Sequence, residues 1–215
     1  MVFEKIPKEQ FTTTEWSHGK TTELYIHPQE ADYSKRQFTW RVSSATVNQS
    51  PSSFTPLFGV KRWIMPFDGG LHLTHTNRGK ALYSITLNPY ETHCFRGDWQ
   101  TECEGTARDF NLMLKDRAFG LLSATKLIQN EGYKLGKIFP GAFDDRLPLD
   151  DHQLTLGIFS IDGSLAIQTL GHNESYPKET LILIHYQIHE IDEIKSFIVK
   201  TLDPAAWMVM FAVTY

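Results

Sequence analysis

Cysteine is scarce in this chain of 215 residues, which contains only Cys94 and Cys103. A disulfide between them would require export to an oxidising compartment, and nothing in the sequence indicates export. A nucleophilic cysteine would need a helix N-terminus or a paired histidine, and the adjacent His93 would point to the opposite face of a strand. We therefore expect two free thiols.

Long apolar runs and basic clusters are also missing. The longest apolar run, Trp207–Val213, is far shorter than a membrane span. The net charge is −4, and the absence of a run of lysine and arginine argues against nucleic-acid binding. Because Met1–Lys5 carries no apolar signal region, we expect a cytoplasmic protein without nucleic acid or membrane as a partner.

Short strand patterns dominate the sequence. Runs rich in β-branched and aromatic residues recur roughly every ten residues, separated by turn sequences such as Asp68-Gly69-Gly70 and Asp162-Gly163. No alternation of strands with helices is visible, so the pattern predicts an all-β sandwich or barrel. One segment fits two structures, because Ile191, Ile194 and Ile198 have helical spacing while residues 196–201 alternate as in a strand.

Two of the predicted strands carry polar groups on one face. Asp109 and Asn111 share one face of their strand, and Arg41 and Ser43 share one face of an earlier strand, because side chains alternate with a period of two. The opposite face of each strand is apolar. Two such strands suggest a small barrel with a polar mouth or cavity.

Three motifs occur in order along the chain, Trp40–Ala45, Phe54–Arg62 and Gly105–Met113. The first and the third contain the polar groups of these two strands. Together the three motifs resemble the HutD/Ves family of cupin-type β-barrel proteins, over about residues 14–115. The sequence departs from the family pattern at Trp16–Glu23, where the usual glycine-rich turn before Thr and Glu retains one glycine.

The resemblance implies an all-β, cupin-like barrel or sandwich made of two fused lobes, a bicupin. The N-terminal lobe would span residues 1–115 and contain the motifs, and a second, degenerate lobe would span residues 116–215. The resemblance also implies a link to histidine utilisation or stress response. The implied ligand class is a small amino-acid-derived carboxylate such as N-formylglutamate or urocanate.

Cupins often hold a metal ion with histidines and a glutamate, and the nearest candidates here are His72, His75, Glu91 and His93. His72 and His75 are three residues apart, so a strand would point them to opposite faces. We therefore favour surface or hairpin histidines and expect no metal and no cofactor. An isomerase or epimerase site could instead combine His93, Asp109 and Tyr83, although no motif selects these residues.

The favoured ligand site consists of Arg41, Ser43, Arg62, Asp109 and Asn111. Arginine pairs bidentately with carboxylates, and asparagine and serine supply neutral donors and acceptors. A pocket with these groups suits a small carboxylate or amide metabolite.

A purely structural interpretation of the same residues stays open. In it, Arg41 neutralises a buried Asp109, Arg62 binds loop carbonyls, and Asn111 caps a bulge.

The sequence therefore predicts a non-catalytic, metal-free protein that binds a small molecule. A cupin enzyme of the isomerase or epimerase type, acting on a sugar or small acid, is the alternative. A protein-interaction module with a vestigial pocket is the third hypothesis, and a homodimer stays open as the assembly.

Overall fold

The structure is a computed structural model that describes residues 1–16, 19–48, 50–149 and 153–215. The described residues form short antiparallel strands and two short α-helices, in agreement with the predicted all-β class. In chain order the strands are β1 (Val2–Ile6), β2 (Thr12–Trp16), β3 (Gly19–His27), β4 (Trp40–Val47), β5 (Ser52–Phe54), β6 (Val60–Gly69), β7 (Leu71–Asn77), β8 (Lys80–Leu87), β9 (His93–Arg96), β10 (Gln100–Glu104), β11 (Ala107–Lys115), β12 (Phe119–Ile128), β13 (Tyr133–Lys134), β14 (Leu154–Ser160), β15 (Leu165–Thr169), β16 (His172–Tyr176), β17 (Leu181–Tyr186), β18 (Ile198–Thr201) and β19 (Ala205–Thr214). The helices are α1 (Leu135–Ile138) and α2 (Ile191–Ser196).

The contacts divide the chain into two compact units. The central unit is Phe11–Ala118, and the terminal unit combines Met1–Gln10 with Phe119–Tyr215. The first ten residues thus belong with the C-terminal part of the chain because β1 pairs with β17, a grouping that the sequence did not predict. The expected boundary after residue 115 lies close to the end of the central unit.

The central unit contains two sheets, with the strand orders β2-β3-β4-β11-β6-β9 and β5-β10-β7-β8. Their inner faces share one apolar cluster, which includes Ile64 and Phe95 from the first sheet and Leu73 and Cys103 from the second. Among the described residues each sheet ends in two edge strands, so the sheets are not closed and the arrangement is an open sandwich, one of the two predicted architectures, rather than a barrel.

The terminal unit also contains two sheets, with the orders β1-β17-β14-β19-β12 and β13-β18-β15-β16. Strands and helices contribute to one apolar core, in which Ile158, Ile194 and Met210 are fully buried. The segment that fitted two structures contains both of them. Helix α2 ends at Ser196, and β18 begins at Ile198.

Strand β11 positions the predicted site because it lies between β4 and β6 in the first sheet of the central unit. Its apolar face, formed by Phe110, Leu112 and Leu114, is buried as the sequence predicted. Its polar face carries Asp109 and Asn111, which are directed to the other side by the same alternation. No helix in the part of the chain that the structure describes is long and apolar enough to cross a membrane.

Candidate functional site

All five residues of the predicted ligand site line one cavity in the central unit, with a volume of about 280 Å³. The strand register brings them together. Met113 of β11 lies between Arg41 of β4 and Arg62 of β6, and Asn111 lies opposite Ser43. Residues directly opposite one another in neighbouring strands share a face, so the polar groups of three strands converge.

The remaining wall of the cavity is mixed. Thr14, Thr21, Ser53 and Thr55 line it together with Leu57 and Phe54. Such a lining of apolar surface with a few convergent polar groups is typical of a small-molecule site.

A hydrogen-bonded chain of three side chains crosses this cavity. Arg62 donates from Nη2 to Oδ1 of Asn111 over 3.1 Å, and Asn111 donates from Nδ2 to Oδ1 of Asp109. The carboxamide can serve both partners because it carries an acceptor and a donor. Arg62 therefore pairs with a side chain rather than with loop carbonyls. The pairing of β11 with β6 has an irregularity between Arg108 and Asp109, and the Asn111 amide binds the side chain of Asp109 beside it.

Burial governs the charges of this chain. Asp109 is 1% exposed, and its burial raises the pKa of the carboxyl to about 7, although the nearby Arg62 and the hydrogen bonds from Ala45 and Asn111 act in the opposite direction. Burial also lowers the pKa of Arg62, which is 7% exposed. A guanidinium stays protonated even so.

Arg62 has an unused donor. Its Nε is buried and has no hydrogen-bond partner among the residues that the structure describes. The guanidinium carbon lies 4.8 Å from the ring centre of Phe54 and 5.4 Å from that of Phe95, so aromatic faces hold the group in place. A buried charged donor without a partner is costly.

Arg41 forms a second charged pair, with a partner that the sequence analysis did not identify. Its Nε donates to Oε2 of Glu23 over 2.6 Å, and its Nη1 donates to Oγ of Ser43 over 3.1 Å. The guanidinium also lies over the ring of Tyr33, at 4.0 Å. The alternative in which Arg41 neutralises Asp109 is therefore wrong. Glu23 could have been suspected, because it ends the departing motif Trp16–Glu23, of which Ser17 and His18 lie outside the described residues.

The histidines of the central unit form a separate cluster. His72 and His75 lie on opposite faces of β7, as predicted, and His72 contacts Thr86 on the outside. His75 lies in the hairpin of β7 and β8 but is fully buried, so of the two predicted placements, surface or hairpin, only the hairpin applies to it. Its Nε2 lies 3.1 Å from Nε2 of His93, which in turn lies 3.3 Å from the hydroxyl of Tyr83.

This cluster contains only some of the residues predicted for an isomerase site and for a metal site. His93 and Tyr83 meet, whereas Asp109 is bound to Asn111 in the cavity, and Glu91 accepts hydrogen bonds from Asn88. No group of three or more histidine, cysteine, aspartate or glutamate side chains that could hold a metal converges within the described residues. Burial lowers the pKa of His75 to about 4, helped by His93, so the buried ring is neutral at neutral pH.

The two cysteines are free thiols that carry no reactive signature. Burial raises the pKa of Cys94 and of Cys103 to about 11, so neither forms a thiolate at neutral pH.

Comparison with known proteins gives one family and several related folds. The family model described as HutD matches residues 8–133. Among solved structures, the conserved protein PA5104 from Pseudomonas aeruginosa PAO1 has a TM-score of 0.72, and HutD from Pseudomonas fluorescens SBW25 has one of 0.62. Each is 19% identical, and each alignment covers 100% of both chains.

A more distant likeness is to oxalate decarboxylase from Bacillus subtilis, with a TM-score of 0.61 and 5% identity over 98% of this chain and 76% of that one. No curated protein matches significantly. At these identities the structural likenesses show the fold alone, which is cupin-like.

The contact between Arg41 and Glu23 predicts a specific energetic coupling. In a double-mutant cycle with Arg41→Met and Glu23→Gln, we expect a coupling of about 1–3 kcal/mol in the free energy of unfolding, since the two side chains touch. Urea unfolding of the wild type, both single variants and the double variant measures it. The matched cycle of Arg41→Met with Asp109→Asn should give a smaller coupling, and an equal or larger one would contradict the pairing.

Proposed function

Since this chain belongs to the HutD family, we propose that it is a non-catalytic, metal-free cupin-type protein that binds a small amino-acid-derived carboxylate. The single observation that carries the proposal is the buried guanidinium of Arg62, which lines a cavity and has an unpartnered Nε. Such a group is placed to receive an anion rather than to stabilise the empty protein.

The size and lining of the cavity agree with this ligand class. A volume of about 280 Å³ has room for a whole amino-acid derivative, and not merely for its carboxylate. Arg62 would bind the carboxylate, Ser43 and Asn111 would bind an amide or a second polar group, and Phe54 would cover the carbon chain. Arg41 would contribute to the wall while it stays paired with Glu23.

The family points to a physiological context for the ligand. The name HutD associates relatives with histidine utilisation, and we propose N-formylglutamate or urocanate as representatives of the class. A link to stress response is a further part of the proposal. The Pseudomonas fluorescens HutD structure is described as a formate condition, and formate is the smallest carboxylate with which the site can be tested.

We also propose that the two units are two cupin-like lobes, with the ligand site in the central one. Each unit consists of two antiparallel sheets around its own apolar core. The likeness to oxalate decarboxylase extends over 98% of this chain and therefore includes both units.

The first test replaces the proposed anchor. Arg62→Gln removes the charge but keeps a side-chain donor for Asn111, so we expect the affinity for N-formylglutamate, urocanate or formate to fall about tenfold or more, since one charge-assisted hydrogen bond contributes roughly 1.5–3 kcal/mol. Calorimetry and ligand-induced shifts of the melting temperature measure the effect.

Lys61→Gln is the matched control, because it removes a positive charge from the adjacent but exposed position. It should bind like the wild type. The proposal is refuted if no member of the panel binds the wild type, or if Arg62→Gln binds as tightly as the wild type does.

The second test concerns the alternative enzyme, for which the contact of His93 with Tyr83 is the favourable observation. We expect purified protein to contain no stoichiometric Fe, Mn, Zn or Ni, because two histidines without a third ligand of the same kind form a weak site. Elemental analysis before and after dialysis against a chelator measures the metal content. A value near one ion per chain that survives dialysis would favour the enzyme instead.

A further inference from the structure

Asp109 is an unusual neighbour for a carboxylate ligand, because it places a second carboxylate in the same cavity as Arg62. Its side chain is 1% exposed and accepts hydrogen bonds from Asn111 and from the backbone of Ala45. Arg62 acts on it through Asn111, and among the described residues no ion pair joins the guanidinium to the carboxylate. The carboxylate is thus only partly compensated.

The charged groups near the cavity leave Arg62 as the main positive charge for both Asp109 and a carboxylate ligand. Glu23 of β3 occupies Arg41 of β4. Arg108, on the same strand as Asp109, donates from its Nε to Ser44, and its charge makes the smallest of the contributions that lower the pKa of Asp109, behind that of Arg62. Cys103 of β10 is a neutral thiol, since burial raises its pKa to about 11.

The other residues that line the cavity carry no carboxylate and no basic group, and its polar members besides the five site residues are threonines, Ser53 and Tyr33. Arg62 of β6 is therefore the cation shared by Asp109 and an arriving carboxylate. Two anions beside one cation in a low-dielectric cavity repel each other strongly.

Protonation of Asp109 removes this repulsion at a small cost in free energy. In the empty cavity, burial already raises the pKa of Asp109 to about 7, so protonation near neutral pH costs little free energy. A neutral carboxyl group can also donate a hydrogen bond to an anion, which a carboxylate cannot do.

We propose that Asp109 is the proton acceptor of the cavity and that binding of an anionic ligand beside Arg62 is coupled to the uptake of one proton from solvent by the Asp109 carboxylate. This inference rests on the proposed function and adds the regulation of the same site by pH. The protein would then hold its ligand more tightly in an acidic cell than in an alkaline one.

The sign and the pH window follow from linkage. Below about pH 6, Asp109 of the free protein is largely protonated, so binding takes up almost no proton and the affinity is flat. Above about pH 7 the free carboxylate is ionised, binding takes up a proton, and the affinity falls by up to about tenfold per pH unit. The neutral His75 does not titrate in this range, because its pKa is about 4.

Calorimetry can count the proton directly. N-formylglutamate is the probe, because it has no group that titrates between pH 6 and 9. Titrations at each pH in two cationic buffers of different ionisation enthalpy, imidazole and Bis-Tris at pH 6–7 and imidazole and Tris above pH 7, differ in apparent enthalpy in proportion to the protons exchanged. We expect an uptake that rises from near zero at pH 6 to nearly one at pH 8.

Asp109→Asn supplies the decisive variant, because the amide imitates the protonated acid. It should bind with an affinity that does not depend on pH and with the same enthalpy in both buffers. Asp116→Asn, the same substitution at an exposed position, should retain the pH dependence of the wild type.

Unfolding measurements provide a readout without ligand. Because the pKa of Asp109 is raised in the folded state, its stabilising effect is present at low pH and is lost as the pH rises through about 7. The unfolding free energy of the wild type should therefore fall relative to that of Asp109→Asn between pH 5 and pH 8.

The outcomes separate this inference from the proposed function. Saturable binding with equal enthalpies in both buffers at every pH would overturn proton uptake and leave ligand binding intact. The absence of binding at any pH would overturn both. If Asp109→Asn does not fold, the comparison of the two buffers on the wild type still decides.

Discussion

The burial of two opposite charges on the inner face of one sheet is the constraint on which the cavity depends. Arg62 and Asp109 are both more than nine-tenths buried, on the adjacent strands β6 and β11, and Asn111 connects them. Removing one partner would leave the other charge uncompensated in a low-dielectric interior. The connecting residue must also offer both an acceptor and a donor, which a carboxamide does and an aliphatic or carboxylate side chain does not. The site is therefore built from a set of residues that depend on one another.

The two buried arginines of the cavity differ in how well their N–H donors are satisfied by hydrogen bonds. Arg41 donates hydrogen bonds to Glu23 and Ser43, and its guanidinium stacks over the ring of Tyr33. Protein groups therefore hold Arg41 in the wall of the cavity. Arg62 keeps a buried Nε without a partner among the described residues. Arg62 is therefore the arginine with an unsatisfied donor, and burial raises the pKa of the neighbouring Asp109 carboxyl to about 7.

Aromatic contacts connect Arg62 of the cavity with the histidine cluster of the central unit. The guanidinium carbon of Arg62 lies 5.4 Å from the ring centre of Phe95, and the ring centre of His75 lies 4.9 Å from it. His75 in turn contacts His93, and His93 contacts Tyr83. Phe95 therefore contacts both Arg62 and the buried His75.

The sequence by itself determined the strand-rich class, the faces of β4 and β11, and five of the residues that line the cavity. It could do so because side-chain alternation in a strand is a local property of the backbone. It did not determine the partners of those residues, because Arg41 could reach either of two carboxylates and only the bulged pairing of β3 with β4 brings Glu23 to it. Likewise, the open sheets, the placement of Met1–Gln10 with the terminal unit and the burial of His75 depend on pairings between distant segments. Such pairings are fixed by the packing of the whole unit, so the tertiary structure alone decided them.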